Sequence, residues 1–367
     1  MVSGPSVFMP GYVSDSQGGP KKLTGGILYD SKLAEHFTEA GWNVRCFDLE
    51  GMPRYAKFLK FPATGILRRE SGAFDILITD LGNSALTMGF QKWARRRGKL
   101  TAMICHHFRS GLEESVLKRL LYRLSEKSVV RSADILIANS PHTRRILLSM
   151  GRRDNEIVLA PPGLNYRVAD RRTIKDSPRE ILAVCSIEPR KGILEMVRAL
   201  HASGLEEARM TIAGELNGNS EYTQSVLRLI KDLELESRVK LPGRINDEQL
   251  HNLYERADVY MLLSKWEGYG MSIAEAMAHG IPLVTTNAGA IPNLIDHGVS
   301  GMMVDPEDWR MAAEYLNELF SNYDLRKRLS ESALEAARGF PSWKDTAERV
   351  FEAVSEGYER AGTRTCG

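Results

Sequence analysis

Apolar residues fall in short continuous runs along the chain, separated by longer stretches where they recur at helical spacing. The runs are 7–9, 44–47, 74–79, 100–105, 134–140 and 157–165 in the first part, the last ending in a linker. In the second part they are 181–185, 210–215, 259–264 and 281–286. Runs without polar alternation are what strands covered on both faces show. Between them, Leu28, Leu33, Phe37 and Ala40 mark one helix, stopped at Gly41. Ile193, Leu194, Met196, Val197 and Leu200 mark another. Repeated strand–helix–strand units imply parallel sheets and an α/β fold.

At 367 residues the chain is too long for one ordinary core and fits two domains. Pro161-Pro162-Gly163 after a strand reads as the boundary. We therefore expect a first domain at 1–163 and a second at 164–343. Phe340-Pro341-Ser342-Trp343 interrupts the closing helices, and a last helix runs to about residue 360.

The most informative stretch joins the runs 259–264 and 281–286. It reads Trp266-Glu267-Gly268-Tyr269-Gly270-Met271-Ser272-Ile273-Ala274-Glu275-Ala276-Met277-Ala278-His279-Gly280. This is strand, glycine turn, helix, strand. Such a turn lies outside the carboxyl end of a strand, where open α/β sheets bind ligands. Gly268 and Gly270 let ligand and backbone approach, and the first helix amides favour an anion. Glu267 and Glu275 can each accept two hydrogen bonds from a vicinal diol. The pattern suits a nucleotide sugar, a diphosphate between two sugars. The plainer reading also stands: Ser272 and Glu275 have capping-box spacing, and Glu267 is then a solvated loop residue.

Elsewhere the candidates are weaker. Gly25-Gly26 opens the first helix after a long polar loop, 10–24, holding Lys21 and Lys22. Those lysines either meet phosphate or are solvated. His106 and His107 follow the run 100–105, at the carboxyl end of a strand. Arg190-Lys191-Gly192 enters a helix and can hold a phosphate.

Composition changes little. The chain is 43% hydrophobic and 26% charged, as soluble globular proteins are. A net charge of +2 gives no global argument for nucleic acid. No run is long enough to span a bilayer, and the start lacks a signal-peptide pattern. Cys46, Cys105, Cys185 and Cys366 lack metal-ligand spacing. The first three read as buried thiols in a reducing cytoplasm. Residues 117–131 form a basic amphipathic helix, with Lys118, Arg119, Arg123, Lys127 and Arg131 beside Leu117, Leu120, Leu121 and Leu124. With Trp93-Ala94-Arg95-Arg96-Arg97, it is either a peripheral contact for anionic lipid or a solvated face.

The stretch at 266–280 resembles the donor segment of the retaining GT-B glycosyltransferases, in particular glycosyltransferase family 4, with its E-G-F-G-x-P/S-x-x-E-A-M-A-x-G pattern. Asn287-Ala288-Gly289-Ala290-Ile291-Pro292-Asn293 and the segment 297–304 are similar to the family's turns downstream of that pattern. The resemblance covers most of the chain. It implies two Rossmann-like domains with parallel sheets facing across a cleft, the first an acceptor-side domain completed by a C-terminal helix at 344–362. The implied reaction moves a sugar from a nucleotide-diphosphate sugar to an acceptor hydroxyl of a glycan, lipid or small metabolite. Configuration is retained and neither metal nor other cofactor is required. Glu267 would then hold the transferred sugar, His106 (or His107) its other face, and Glu275 the ribose. Lys191, Arg190 and the amides of Gly270, Met271 and Ser272 would meet the diphosphate. Gly25, Gly26, Gly268 and Tyr269 would line the donor, and Arg244 and Ile245 its base. Ser186 departs from the pattern, standing where the family carries an arginine. Two alternatives stay open: another GT-B enzyme such as a nucleotide-sugar epimerase, or a non-catalytic nucleotide-binding relative.

Overall fold

The computed structural model describes residues 4–11, 24–49, 52, 60–111, 115–216, 218 and 220–364. Lys21, Lys22 and Cys366 lie outside them. The chain divides into two units, Met1–Gly163 with Pro341–Gly367, and Leu164–Phe340.

The first unit alternates strands and helices. Its elements are β1 (Ser6–Pro10), α1 (Gly25–Glu39), β2 (Asn43–Phe47), α2 (Lys60–Ser71), β3 (Ile76–Asp80) and α3 (Ser84–Arg96). They continue with β4 (Leu100–Cys105), α4 (Val116–Val130), β5 (Ile135–Ala138), α5 (Pro141–Ser149) and β6 (Ile157–Leu159). The strands form one sheet in the order β2-β1-β3-β4-β5-β6, with every pairing parallel. The order reverses between β1 and β3, so ligand space is expected beyond Pro10 and Asp80.

The second unit has β7 (Glu180–Val184), α6 (Ile193–Ala202), β8 (Arg209–Ala213), α7 (Glu221–Asp232), β9 (Val239–Gly243) and α8 (Asp247–Arg256). Then come β10 (Val259–Leu262), α9 (Met271–Ala278), β11 (Leu283–Thr286), β12 (Met302–Val304), α10 (Trp309–Ser321) and α11 (Tyr323–Ala337). Its sheet is also parallel, in the order β12-β11-β10-β7-β8-β9. The reversal falls between β7 and β10. Beyond their carboxyl ends come Lys191 and Glu267.

The last helix, α12 (Trp343–Arg364), belongs to the first unit. It buries Ala347, Val350 and Val354 in one cluster with Tyr29, Leu33 and Phe37 of α1 and with Ile76, Leu100 and Ile135 of the sheet. The Tyr29 hydroxyl donates to the Ala160 carbonyl at 2.8 Å, so burial leaves it satisfied.

Two expectations are corrected. The buried face of α1 runs through Tyr29, Leu33 and Phe37 with Ala34, whereas Leu28 is only half-buried and Ala40 exposed. The tyrosine ring outcompetes Leu28 because α12 covers that side. Cys46 is half-buried, while Cys105 and Cys185 are buried; β2 is an edge strand and leaves its thiol at the rim.

Candidate functional site

Two loops meet at the reversal point of the second unit. The Lys265 amide donates to the Arg190 carbonyl at 2.8 Å. Gly192 makes the approach feasible: it has φ +65°, and a Cβ there would lie 1.9 Å from the Leu263 carbonyl oxygen. Glu267 is thereby brought to Lys191. Its Oε1 accepts from Lys191 Nζ at 2.6 Å and from the Ser264 hydroxyl at 2.7 Å. An Arg190 guanidinium nitrogen lies 3.8 Å from its Oε2. Burial alone would push Glu267 up, but the charges of Lys191 and Arg190 and the two hydrogen bonds hold it below the usual carboxylate range. Arg190 also meets Glu188 at 3.1 Å.

The helix after this turn starts differently from the sequence expectation. Gly270 is the N-cap of α9, with φ 102° and no side-chain cap. No capping box forms. The Ser272 hydroxyl accepts from Tyr260 at 2.8 Å, and Glu275 is one turn in, facing the core. Its Oε1 accepts from Asn165 Nδ2 at 2.6 Å and its Oε2 from the Tyr254 hydroxyl at 2.7 Å. Burial raises its pKa despite these bonds. The first intrahelical bonds come from the amides of Ile273 and Ala274 to the Gly270 carbonyl. The Met271 and Ser272 amides precede them and are the ones a helix N-terminus offers an anion.

In the first unit, His106 comes directly after β4 and points toward the reversal point of its own sheet. Its Nε2 is 3.5 Å from Asp30 Oδ1, and Asp80 at the end of β3 completes a close three-residue group. Gly26 lies against its ring: a Cβ there would be 3.4 Å from Cδ2. Tyr29 meets the ring edge-on at 5.2 Å. Burial would push His106 down, but the contact with Asp30 and the charges of Asp80 and Asp30 outweigh it and hold the imidazole above its ordinary range. Burial pushes Asp80 up, against the pull of His106. His107 is exposed.

Among the predicted residues, the structure thus gathers Lys191, Arg190 and Glu267, and in the first unit Gly26 with His106. Gly25 opens α1, capped by Thr24, whose hydroxyl accepts from the Ile27 amide. Tyr269 is buried and Gly268 half-buried in the turn. Arg244 and Ile245 lie between β9 and α8; among the described residues no side-chain bond ties them to Glu267, Lys191 or Glu275. Sequence reasoning missed Asp30, Asp80, Asn165, Tyr254 and Ser264. Asp80 carried a signal, as an acid ending a buried strand run, and Asp30 sits four residues after Gly26 on α1.

Known proteins match both units. A profile of the family described as glycosyl transferases group 1 matches residues 168–336. A glycosyl transferase 4-like domain matches residues 23–163. A D-inositol 3-phosphate glycosyltransferase from Thermobispora bispora is 31% identical over 254 residues, covering 65% of this chain and 59% of that protein. The curated relatives are longer, and the matched stretch spans 54% to 60% of their length. A sucrose-phosphate synthase from Thermosynechococcus elongatus superposes with a TM-score of 0.78 at 19% identity, over 97% of this chain and all (100%) of that one. The Anabaena protein HepE, solved in complex with UDP-glucose, gives 0.76 at 18%, over 96% and 100%. At that identity the likeness establishes the fold, which is GT-B.

The Glu267 environment fixes a pH dependence. A carboxylate held below its unfolded value of about 4.3 adds stability that is present above that value and lost as pH falls through its folded pKa. Thermal unfolding of wild type and Glu267→Gln should therefore show the stability difference in favour of wild type rising with pH below about 4.3 and flat above about 5. A difference independent of pH would contradict the ion pairing.

Proposed function

Because the chain belongs to the group 1 glycosyl transferases, we propose that it moves a hexose from a nucleotide-diphosphate sugar to an acceptor hydroxyl with the anomeric configuration retained. The observation that carries this reading is the pair of part-buried Lys191 and buried Glu267 beside the N-terminus of α9. On this reading the incoming diphosphate draws Lys191 Nζ away from Glu267. Lys191, Arg190 and the amides of Met271 and Ser272 then stabilise the charge that develops on the leaving group. Arg190 takes over from the arginine that Ser186 replaces, and no metal enters the step. Glu267, relieved of Lys191, accepts from hydroxyls of the transferred sugar. Each oxygen of Glu275 keeps a second lone pair beside those used by Asn165 and Tyr254, enough for a ribose diol. Gly268 and Tyr269 line the donor, and the Arg244–Ile245 loop borders the base. In the first unit, His106, beside Asp30, is the candidate for contact with the transferred sugar. The UDP-glucose bound by HepE supports a nucleotide sugar as donor.

Calorimetry with UDP, GDP and ADP tests the reading. One nucleotide should be preferred, and Glu275→Ala should weaken it by about 10-fold or more, a loss of ~1.4 kcal/mol or more. Slow hydrolysis of the matching sugar donor should first release the anomer already present in the donor. Release of the opposite anomer would refute retention; conversion of the donor into another nucleotide sugar would favour an epimerase. No nucleotide binding by folded protein would sink the reading altogether.

A second observation concerns where the protein works. On α4, Leu117, Leu120, Leu121 and Leu124 are 68%, 54%, 58% and 59% exposed. They stand at i, i+3, i+4 and i+7, the stripe that a helix normally buries. Beside the helix a cavity of about 430 Å³ is lined by Lys92, Arg95, Arg96, Ser128, Arg131 and Ser132. Among the described residues no helix is long and apolar enough to cross a membrane. The reading is a cytoplasmic protein that rests α4, with its exposed leucines and the neighbouring basic side chains, on an anionic membrane. Full-length protein should co-sediment with phosphatidylglycerol-containing vesicles and not with neutral ones. Leu120→Glu with Leu121→Glu should abolish this while leaving nucleotide affinity intact. Equal sedimentation of the variant would refute the contact.

A further inference from the structure

At the end of α9, His279 meets α8. Its Nε2 lies 3.3 Å from His251 Nδ1, and a Glu255 carboxylate oxygen is within 4.8 Å of both. His251 and Glu255 are four residues apart, on one face of α8. Both rings are fixed by aromatic neighbours. His279 stacks on Tyr254 at 4.8 Å and 13° and meets Tyr166 edge-on at 4.9 Å. Tyr166 in turn stacks on His251 at 5.5 Å and 25°.

The outer contact sets the tautomer. His279 Nδ1 lies 2.8 Å from the Glu275 carbonyl oxygen. A carbonyl only accepts, so the proton is on Nδ1 and the Nε2 lone pair faces His251. Metal-binding histidines are oriented in this way, by donating the other ring N–H to a carbonyl or carboxylate. The spacing fits as well: two nitrogens on a tetrahedral zinc at ~2.0–2.1 Å stand about 3.3 Å apart. Arg172, which faces the group, directs its guanidinium to the carbonyls of Tyr254, Glu255 and His279, and Glu255 offsets its charge.

We propose that His251, His279 and Glu255 form a binding site for a divalent transition cation of the zinc type, with water at the fourth position. The cation staples α8 to the end of α9. None of the three ligands takes part in the proposed sugar transfer, so the site stands or falls independently of that reading.

The test is metal-stripped full-length protein titrated with Zn²⁺ by calorimetry and with Co²⁺ by visible absorbance. The expected result is one cation per chain, with the intense cobalt bands of a four-coordinate site. Binding should weaken by about 10-fold or more in His251→Ala and in Glu255→Gln, and be unchanged in His106→Ala, which probes the Asp30–Asp80–His106 group. Zinc should raise the melting temperature of wild type and not of His251→Ala. His251 and Glu255 are exposed, and an unchanged metal-free melting temperature confirms that the variants fold. Absence of uptake, uptake unaffected in both variants, or loss only in His106→Ala would overturn the proposal. In the first two cases the His279–His251 contact is a hydrogen bond between imidazoles and nothing more.

Discussion

A carboxylate taken out of water must be paired, or it protonates. Glu267 is paired by Lys191 from a different strand–helix connection, and the surrounding backbone is arranged to allow it. Gly192 admits the Leu263 carbonyl. Gly289, with φ +61°, leaves room for the Glu267 backbone, and the Ala290 amide donates to the Glu267 carbonyl at 2.9 Å. Thr286 on β11 donates to the Ser264 carbonyl at 2.6 Å. Three loops from adjacent strands are thus tied around one ion pair. On the proposed reading, a lysine that satisfies a carboxylate at rest is already aimed where a more highly charged partner would arrive.

The first unit solves a similar problem with the opposite sign of emphasis. There a half-buried histidine lies close to two acids, with its Nε2 3.5 Å from Asp30 Oδ1 and Asp80 beside them. Asn139 donates to the His106 carbonyl at 2.9 Å, which fixes the backbone while leaving the ring to Asp30 and Asp80. The two units share a parallel α/β plan and differ in strand order. Each carries its charged group at its own reversal point, where the adjacent loops diverge and leave room.

Much of the fold was legible because parallel strands are apolar on both faces and carry no competing periodicity. Runs such as 100–105 and 181–185 correspond to strands within a residue. Boundaries blurred where a run continued past its last ladder bond, as at Leu263 and Ser264, which already belong to the turn. Helix faces were harder. Tyr29 was not distinguishable from Leu28 until the partner helix, more than 300 positions away in sequence, was known. At the site, the spacing of Ser272 and Glu275 suggested a local cap, yet remote partners won: Tyr260 took the serine, and Asn165 with Tyr254 took the glutamate. Such partners leave no mark in local sequence. Nor did spacing reveal that the leucines of α4 face outward, since the same stripe ordinarily faces inward.

The central claim is that Lys191, held in reserve by Glu267, is the group that recognises a diphosphate. The direct measurement compares the affinity for a nucleoside with that for its diphosphate, in wild type and in Lys191→Ala. The account predicts that wild type binds the diphosphate far more tightly and that Lys191→Ala removes most of this difference while leaving nucleoside affinity nearly unchanged. An equally large diphosphate advantage in the folded variant would contradict it.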